Sequence, residues 1–182
     1  MKSALLDLCK RLLSLPAAAA VVMAVSCATL AVALTAQYGF GHDPCVLCLW
    51  QRAPYAVAFV LALLSLLSQP YGKGQVLLFF SLCFPLFLAG VGTAFFHSGV
   101  ELHWWLGTDG CAIQPLHGEA ASSLRERLLA TPTARCDQIS GTFLGLSMAN
   151  WNVAESLALA AFTLIVVVRE LRGKNAKTTP KP

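Results

Sequence analysis

LPAAAAVVMAVSCATLAVALTA, Leu15 to Ala36, runs for 22 residues without one charged side chain, and its reading decides the fold. A hydrocarbon core about 30 Å thick is crossed by about 20 apolar helical residues. Backbone groups in lipid must be satisfied within their own segment, so such a window is a helix. Lys2, Lys10 and Arg11 precede it, and AVA at 31–33 resembles a leader cleavage site. The window is longer than the roughly 7 to 15 apolar residues of a leader's core, so it is expected to remain as an uncleaved span.

Three further windows share this character. Leu49 to Ser68 is apolar after an opening turn containing Gln51 and Arg52, Gln75 to Phe96 is free of charge, and Ala149 to Val168 carries one acid, Glu155. Across the chain, 57% of the 182 residues are hydrophobic and 12% charged, too apolar for an ordinary soluble domain. The expected fold is an all-α membrane protein, a four-helix antiparallel bundle with spans at about 15–36, 49–68, 75–96 and 149–168. PYGKG at 70–74 is a tight Pro/Gly turn suited to a helical hairpin. Pro85 and AGVG at 89–92 are expected to kink the third span and admit a close neighbour.

Lys and Arg set the sides. Nine of the 13 lie in the N-terminal tail, the 69–74 turn and the C-terminal tail. By the positive-inside rule these are cytoplasmic, which leaves the loops 37–48 and 97–148 outside, in a bacterium's periplasm, where disulfides persist. In such a chain the basic residues report orientation rather than nucleic-acid binding. Within the long loop, Leu116, Ala120, Leu124 and Leu128 recur every fourth residue, as in a short amphipathic helix lying on the membrane surface or packed on the bundle.

The outer loops hold four of the seven cysteines. In PCVLCLWQR, Pro44 disfavours helix before it, so a helix begins at or near Cys45. Cys48 then lies in the first turn, where unpaired N–H groups and the helix dipole favour an anion. Arg52 follows one turn deeper on the same face, with Tyr55 beyond it. A cysteine with a lowered pKa is the reactive one in thiol exchange. Cys111 and Cys136 stand among Gly, Pro, Thr and Asp, which predict accessible backbone. Two disulfides in one compartment can exchange directly, so a relay is the economical reading. The alternatives are structural disulfides, a zinc site of all four cysteines, and an Arg52 that only anchors the span. A relay needs an acceptor: with no haem-attachment CxxCH and no Gly-rich nucleotide loop, a lipid-soluble quinone fits, with Arg52 as its polar contact.

These residues, with FLGLSMANW at 143–151 and FFHSGVELHWWLGTDGC at 95–111, resemble the disulfide bond formation protein B (DsbB) family of bacterial inner-membrane thiol:quinone oxidoreductases. The resemblance implies that Cys45 and Cys48 are the quinone-coupled pair, with Cys48 as the thiolate meeting the quinone and Arg52 binding its oxygen. It also implies that Cys111 and Cys136 form the substrate-facing pair, Cys111 being attacked by a periplasmic DsbA-like partner. The quinone would be ubiquinone or menaquinone, and no metal is implied. The other readings are a membrane scaffold with structural disulfides or a zinc site, and a specialised relative serving one dedicated client oxidase. His97 is a candidate quinone ligand or a marker of the headgroup boundary, the second being preferred. Trp104 and Trp105 are expected in the interfacial aromatic belt, Glu155 at headgroup level, and Cys9, Cys27 and Cys83 in packing roles. Gln51 stands where some members of the family carry an acid.

Overall fold

A computed structural model describes residues 11–108, 111, 134–139 and 141–178. Helix α1 spans Leu15–Leu34 and ends in a π-helical turn, Thr35–Gly39. Helix α2 is Val46–Leu67, followed by a 3-10 turn, Gln69–Tyr71. Helices α3, Lys73–Ser81, and α4, Cys83–Glu101, form one span broken at Leu82. Helix α5 is Met148–Thr178. Four segments are thus long and apolar enough to cross a membrane: Leu15–Gly39, Val46–Leu67, Lys73–Glu101 and Met148–Gly173. The segment 116–130, expected as an amphipathic helix, lies outside the described residues.

Local chemistry explains the punctuation. Pro85 has no N–H for the Ser81 carbonyl, and its ring would press on that carbonyl; the break falls there, upstream of the glycines. The hairpin between α2 and α3 turns at Gly72, whose φ of +108° favours glycine. It is tied by Ser65 Oγ donating to the Val76 carbonyl at 2.9 Å. Before α5, strands β1, Thr142–Phe143, and β2, Leu146–Ser147, form a minimal antiparallel hairpin. Its two-residue turn, Leu144 and Gly145, has positive φ at both positions, 52° and 80°, as a type I′ turn requires. Trp151 Nε1 closes it by donating to the Phe143 carbonyl at 2.9 Å.

Lipid offers helices no hydrophobic gain from meeting one another, so they associate through packing and hydrogen bonds, with small residues at the contacts. Ala18, Ala19, Val22, Ala58 and Ala62 are accordingly sealed in one cluster with Tyr55, Phe80 and Phe87. α1 packs mainly on α2, and α4 on α5. Gly90 is a true close approach: a β-carbon there would stand 3.2 Å from Ser156 Oγ and 3.5 Å from Pro54 Cβ. Gly92 faces open space. Cys83 is buried in this core, but Cys27 is exposed on α1. Glu155 accepts a hydrogen bond from Thr29 Oγ1, so this acid of α5 is paired with the first helix.

Candidate redox site

Pro44 keeps its predecessor extended, and the chain enters α2 with Cys45 as the residue capping the helix. Cys45 has extended dihedrals (φ −70°, ψ 168°), and its sulfur accepts the Cys48 N–H at 3.2 Å, satisfying one of the helix's unpaired donors. The Cys48 thiol lies 2.9 Å from the same sulfur, and His97 Nε2 lies 3.6 Å away. Three polar groups thus converge on Cys45. Cys48 foremost, with His97 and the helix amide, holds the Cys45 pKa below its ordinary value against a burial that pushes it up. The sequence put the favoured thiolate on Cys48; the cap geometry adds that the Cys45 sulfur is the one that accepts the helix amide.

His97 is turned into the bundle. It is 3% exposed and stands at the end of a buried polar chain. Tyr55 Oη donates to Asn152 Oδ1 at 2.6 Å and lies 2.9 Å from Ser156 Oγ. Asn152 Nδ2 donates to Gln51 Oε1 at 2.5 Å, and Gln51 Nε2 lies 2.8 Å from His97 Nδ1. With the Gln51 amide donating to Nδ1, the ring proton sits on Nε2 and faces Cys45. Every donor in the chain then points toward the sulfur. His97 Nε2 is also 3.9 Å from Glu101 Oε1, and the other Glu101 oxygen accepts from Ser147 Oγ, which caps α5 at Asn150 N. Replacing Gln51 with leucine is expected to release His97 and slow thiol exchange at the inner pair about 10-fold, without loss of fold. Stopped-flow measurement of exchange, with circular dichroism, checks this.

Arg52 does not turn to the sulfurs. Its Nη1 donates to Gln37 Oε1 at 2.6 Å and its Nη2 to the Ala33 carbonyl at 3.5 Å, so the guanidinium joins α2 to the π-helical end of α1. Such π turns recur at functional sites. Five N–H donors with only part of them engaged, at a half-buried position on elements that also carry the exposed aromatic residues Tyr38 and Trp50, fit an apolar ligand bearing a carbonyl oxygen. Gln37 escaped the sequence reading; the only signal was its place near the end of an apolar span. On the quinone reading proposed below, Gln37→Leu is expected to raise the KM for that acceptor about 10-fold through a misplaced Arg52, with single-turnover thiol exchange unchanged.

Cys111 and Cys136 are joined by a disulfide with Cα atoms 4.8 Å apart. The Cys136 N–H donates to the Cys111 carbonyl at 3.0 Å, and the Cys111 N–H to the Thr108 carbonyl at 2.7 Å. Contrary to the accessible loop expected, both are sealed, at 1% and 0% exposure. They share one apolar cluster with Cys45, Leu47 and Val100, and Cys48 and Phe96 pack against it. Bonded to each other, they offer no thiolates to a four-cysteine zinc site. Beside them Arg135 holds Asp137 in a two-point ion pair, which keeps that carboxyl below its usual range. Trp105 does more than sit in an aromatic belt. It stacks on Phe96 at 5.8 Å and bonds the Phe96 carbonyl at 2.9 Å through Nε1. Its ring lies over Gly99, where a β-carbon would meet it at 2.0 Å. Trp104 remains largely exposed.

Comparison with known proteins points to one family. The family described as "Disulfide bond formation protein DsbB" matches residues 16–166. A protein of Xanthomonas campestris pv. campestris named "Disulfide bond formation protein B" is 32% identical over 143 residues, 74% of this chain and 80% of that protein. A Xylella fastidiosa protein of the same name is 32% identical over 150 residues, 80% and 85% of the two chains. One from Aromatoleum aromaticum, again of that name, is 26% identical over 163 residues, 84% and 92%.

Proposed function

The chain belongs to the disulfide bond formation protein DsbB family, and from that premise we propose that it is a thiol:quinone oxidoreductase of the bacterial inner membrane. It reoxidises a periplasmic, DsbA-like dithiol partner and delivers the electrons to ubiquinone or menaquinone. The observation that carries this reading is the single buried cluster in which Cys45, Cys111 and Cys136 pack together with Cys48 against them. Two disulfides exchange only if their sulfurs can come into line, and the cluster holds both pairs on one apolar surface. The basic tails and the 69–74 turn support cytoplasmic termini with the cysteines outside.

The steps follow from the residues. The partner's thiolate attacks Cys111, Cys136 leaves as a thiolate, and the partner's second thiolate then displaces Cys111, so the partner leaves oxidised and two thiols remain. Because Cys111 is buried, its sulfur has to be uncovered before that attack. A thiolate of the outer pair then attacks the Cys45–Cys48 disulfide, and the outer disulfide re-forms as the inner pair is reduced. Cys45 holds the resulting charge through the Cys48 thiol and amide and through His97. The quinone supplies a two-electron acceptor. Arg52, fixed by Gln37, would hold its oxygen, and the half-buried Cys48 is the sulfur left to approach it. As the inner pair closes its disulfide it gives up two electrons and the one thiol proton it carries, and the second proton needed for a quinol comes from water; His97 Nε2, 3.6 Å from the Cys45 sulfur, steadies the thiolate until then.

The test is direct. Purified protein, given a reduced thioredoxin-fold partner and a soluble quinone, should reduce the quinone and oxidise the partner in equal amounts. Partner oxidation that proceeds equally well without any quinone or other acceptor would overturn the reading, as would failure to reduce quinone at all.

A further inference from the structure

The inner pair and His97 contain more than a redox couple. Cys45 Sγ, Cys48 Sγ and His97 Nε2 all lie within 4.8 Å of one another, on two different helices and with His97 locked by its neighbours. We propose that, when Cys45 and Cys48 are reduced, these three atoms form a binding site for a thiophilic divalent cation of the zinc class. Binding there would shut off electron flow.

The distances suit the ion. Zinc takes sulfur at about 2.3 Å and imidazole nitrogen at about 2.0 Å in tetrahedral sites, which sets a sulfur-to-nitrogen edge of about 3.6 Å and a sulfur-to-sulfur edge of about 3.8 Å. The Cys45–His97 separation is already 3.6 Å, the two sulfurs, at 2.9 Å, need to part by less than about 1 Å, and the Cys48 sulfur, within 4.8 Å of His97 Nε2, needs to approach it by about 1 Å, within reach of a side-chain rotation at the helix mouth. The Cys48 N–H to the Cys45 sulfur supplies the kind of outer hydrogen bond that steadies a ligating thiolate. A fourth position is open to Glu101, whose Oε1 is 3.9 Å from His97 Nε2 while its other oxygen is held by Ser147.

To ligate, His97 must carry its proton on Nδ1 and offer Nε2. The polar chain allows this, because Gln51, Asn152, Tyr55 and Ser156 each have both donor and acceptor capacity. Turning the Gln51 and Asn152 amides end for end reverses the chain, so that Gln51 Oε1 accepts from Nδ1–H, the arrangement usual for a metal-bound histidine. The binding step balances without redox change: the cation displaces two protons from the two thiols and joins both sulfurs. Once Cys45 and Cys48 form a disulfide the thiolates no longer exist, and the site is lost. It therefore captures the protein when the acceptor is scarce and the inner pair stays reduced. Binding stands independently of the proposed function; only its effect on turnover rests on that reading.

Cobalt(II), which reports thiolate ligation by a sulfur-to-metal absorption band, is the probe, titrated into the full chain in detergent. Reduced protein should bind one cobalt with that band and give it up to zinc, while oxidised protein should bind none. Cys48→Ser should lose the band, and His97→Ala should weaken binding at least about 10-fold and alter the visible spectrum. Equal binding by oxidised and reduced protein, absence of the band, or unchanged affinity and spectrum in His97→Ala would each overturn the site. The oxidised native chain serves as the folded control should a variant misfold. Quinone reduction measured in metal-free buffer separates failure of this site from failure of the enzymatic reading.

Discussion

Replacing Cys48 with serine is expected to abolish steady-state quinone reduction, by about three orders of magnitude or more, while the helical fold persists. Cys48 is half-buried at the mouth of α2 and contributes little to the bundle core. Its chemistry is what matters. It is the partner without which Cys45 cannot close a disulfide, and its sulfur lies 2.9 Å from that of Cys45. In the serine variant the outer pair can still oxidise one partner molecule, and the reaction should then stop. Cys27→Ser, on the exposed side of α1, is the matched control and should turn over normally. Quinone reduction is followed by absorbance, and unaltered turnover by Cys48→Ser would refute the relay.

The second large effect is expected from a residue with no chemistry of its own. At Gly107 a β-carbon would stand 2.5 Å from Cys111 Cβ and 3.3 Å from Val100 Cγ1. The first of these atoms is next to the backbone and cannot swing aside, so Gly107→Ala has to move Cys111. Misplacing a reacting atom by about 1 Å can cost about 100-fold in rate. The variant should accordingly lose about 10- to 100-fold in the rate at which the partner is oxidised. Exchange between a small dithiol and the Cys45–Cys48 pair should change little. Mixing experiments with the reduced partner check this, and an unchanged rate would mean that the fit of Cys111 in its cluster is not used.

Much of this was legible in the residues. Long apolar windows with at most one charge gave the four spans because lipid leaves a backbone no alternative to the helix, and Pro44 gave the start of α2. Two things were hidden. Sequence spacing shows which residues share a helical face but not what lies across from them, so Arg52 was assigned to Cys48 when its guanidinium in fact reaches Gln37 on α1. For the same reason His97 read as a boundary residue, since its partners Gln51 and Cys45 come from another helix. Loop composition also misled. Glycine, threonine and aspartate around Cys111 suggested exposure, whereas the disulfide is packed under Val100 and Leu47. The hairpin in FLGLSMANW was concealed because Leu144 adopts a positive φ that leucine seldom takes.

The central claim is that electrons enter at Cys111 and Cys136 and leave from Cys45 and Cys48. Its most direct measurement is a count of free thiols at each of the four positions by mass spectrometry, after adding reduced partner without quinone and again after a quinone pulse. In the native chain the partner should reduce both pairs, and the pulse should restore both disulfides. In Cys48→Ser the partner should still reduce the outer pair, and the pulse should leave it reduced. Restoration of the Cys111–Cys136 disulfide by quinone in the Cys48→Ser chain would contradict the account.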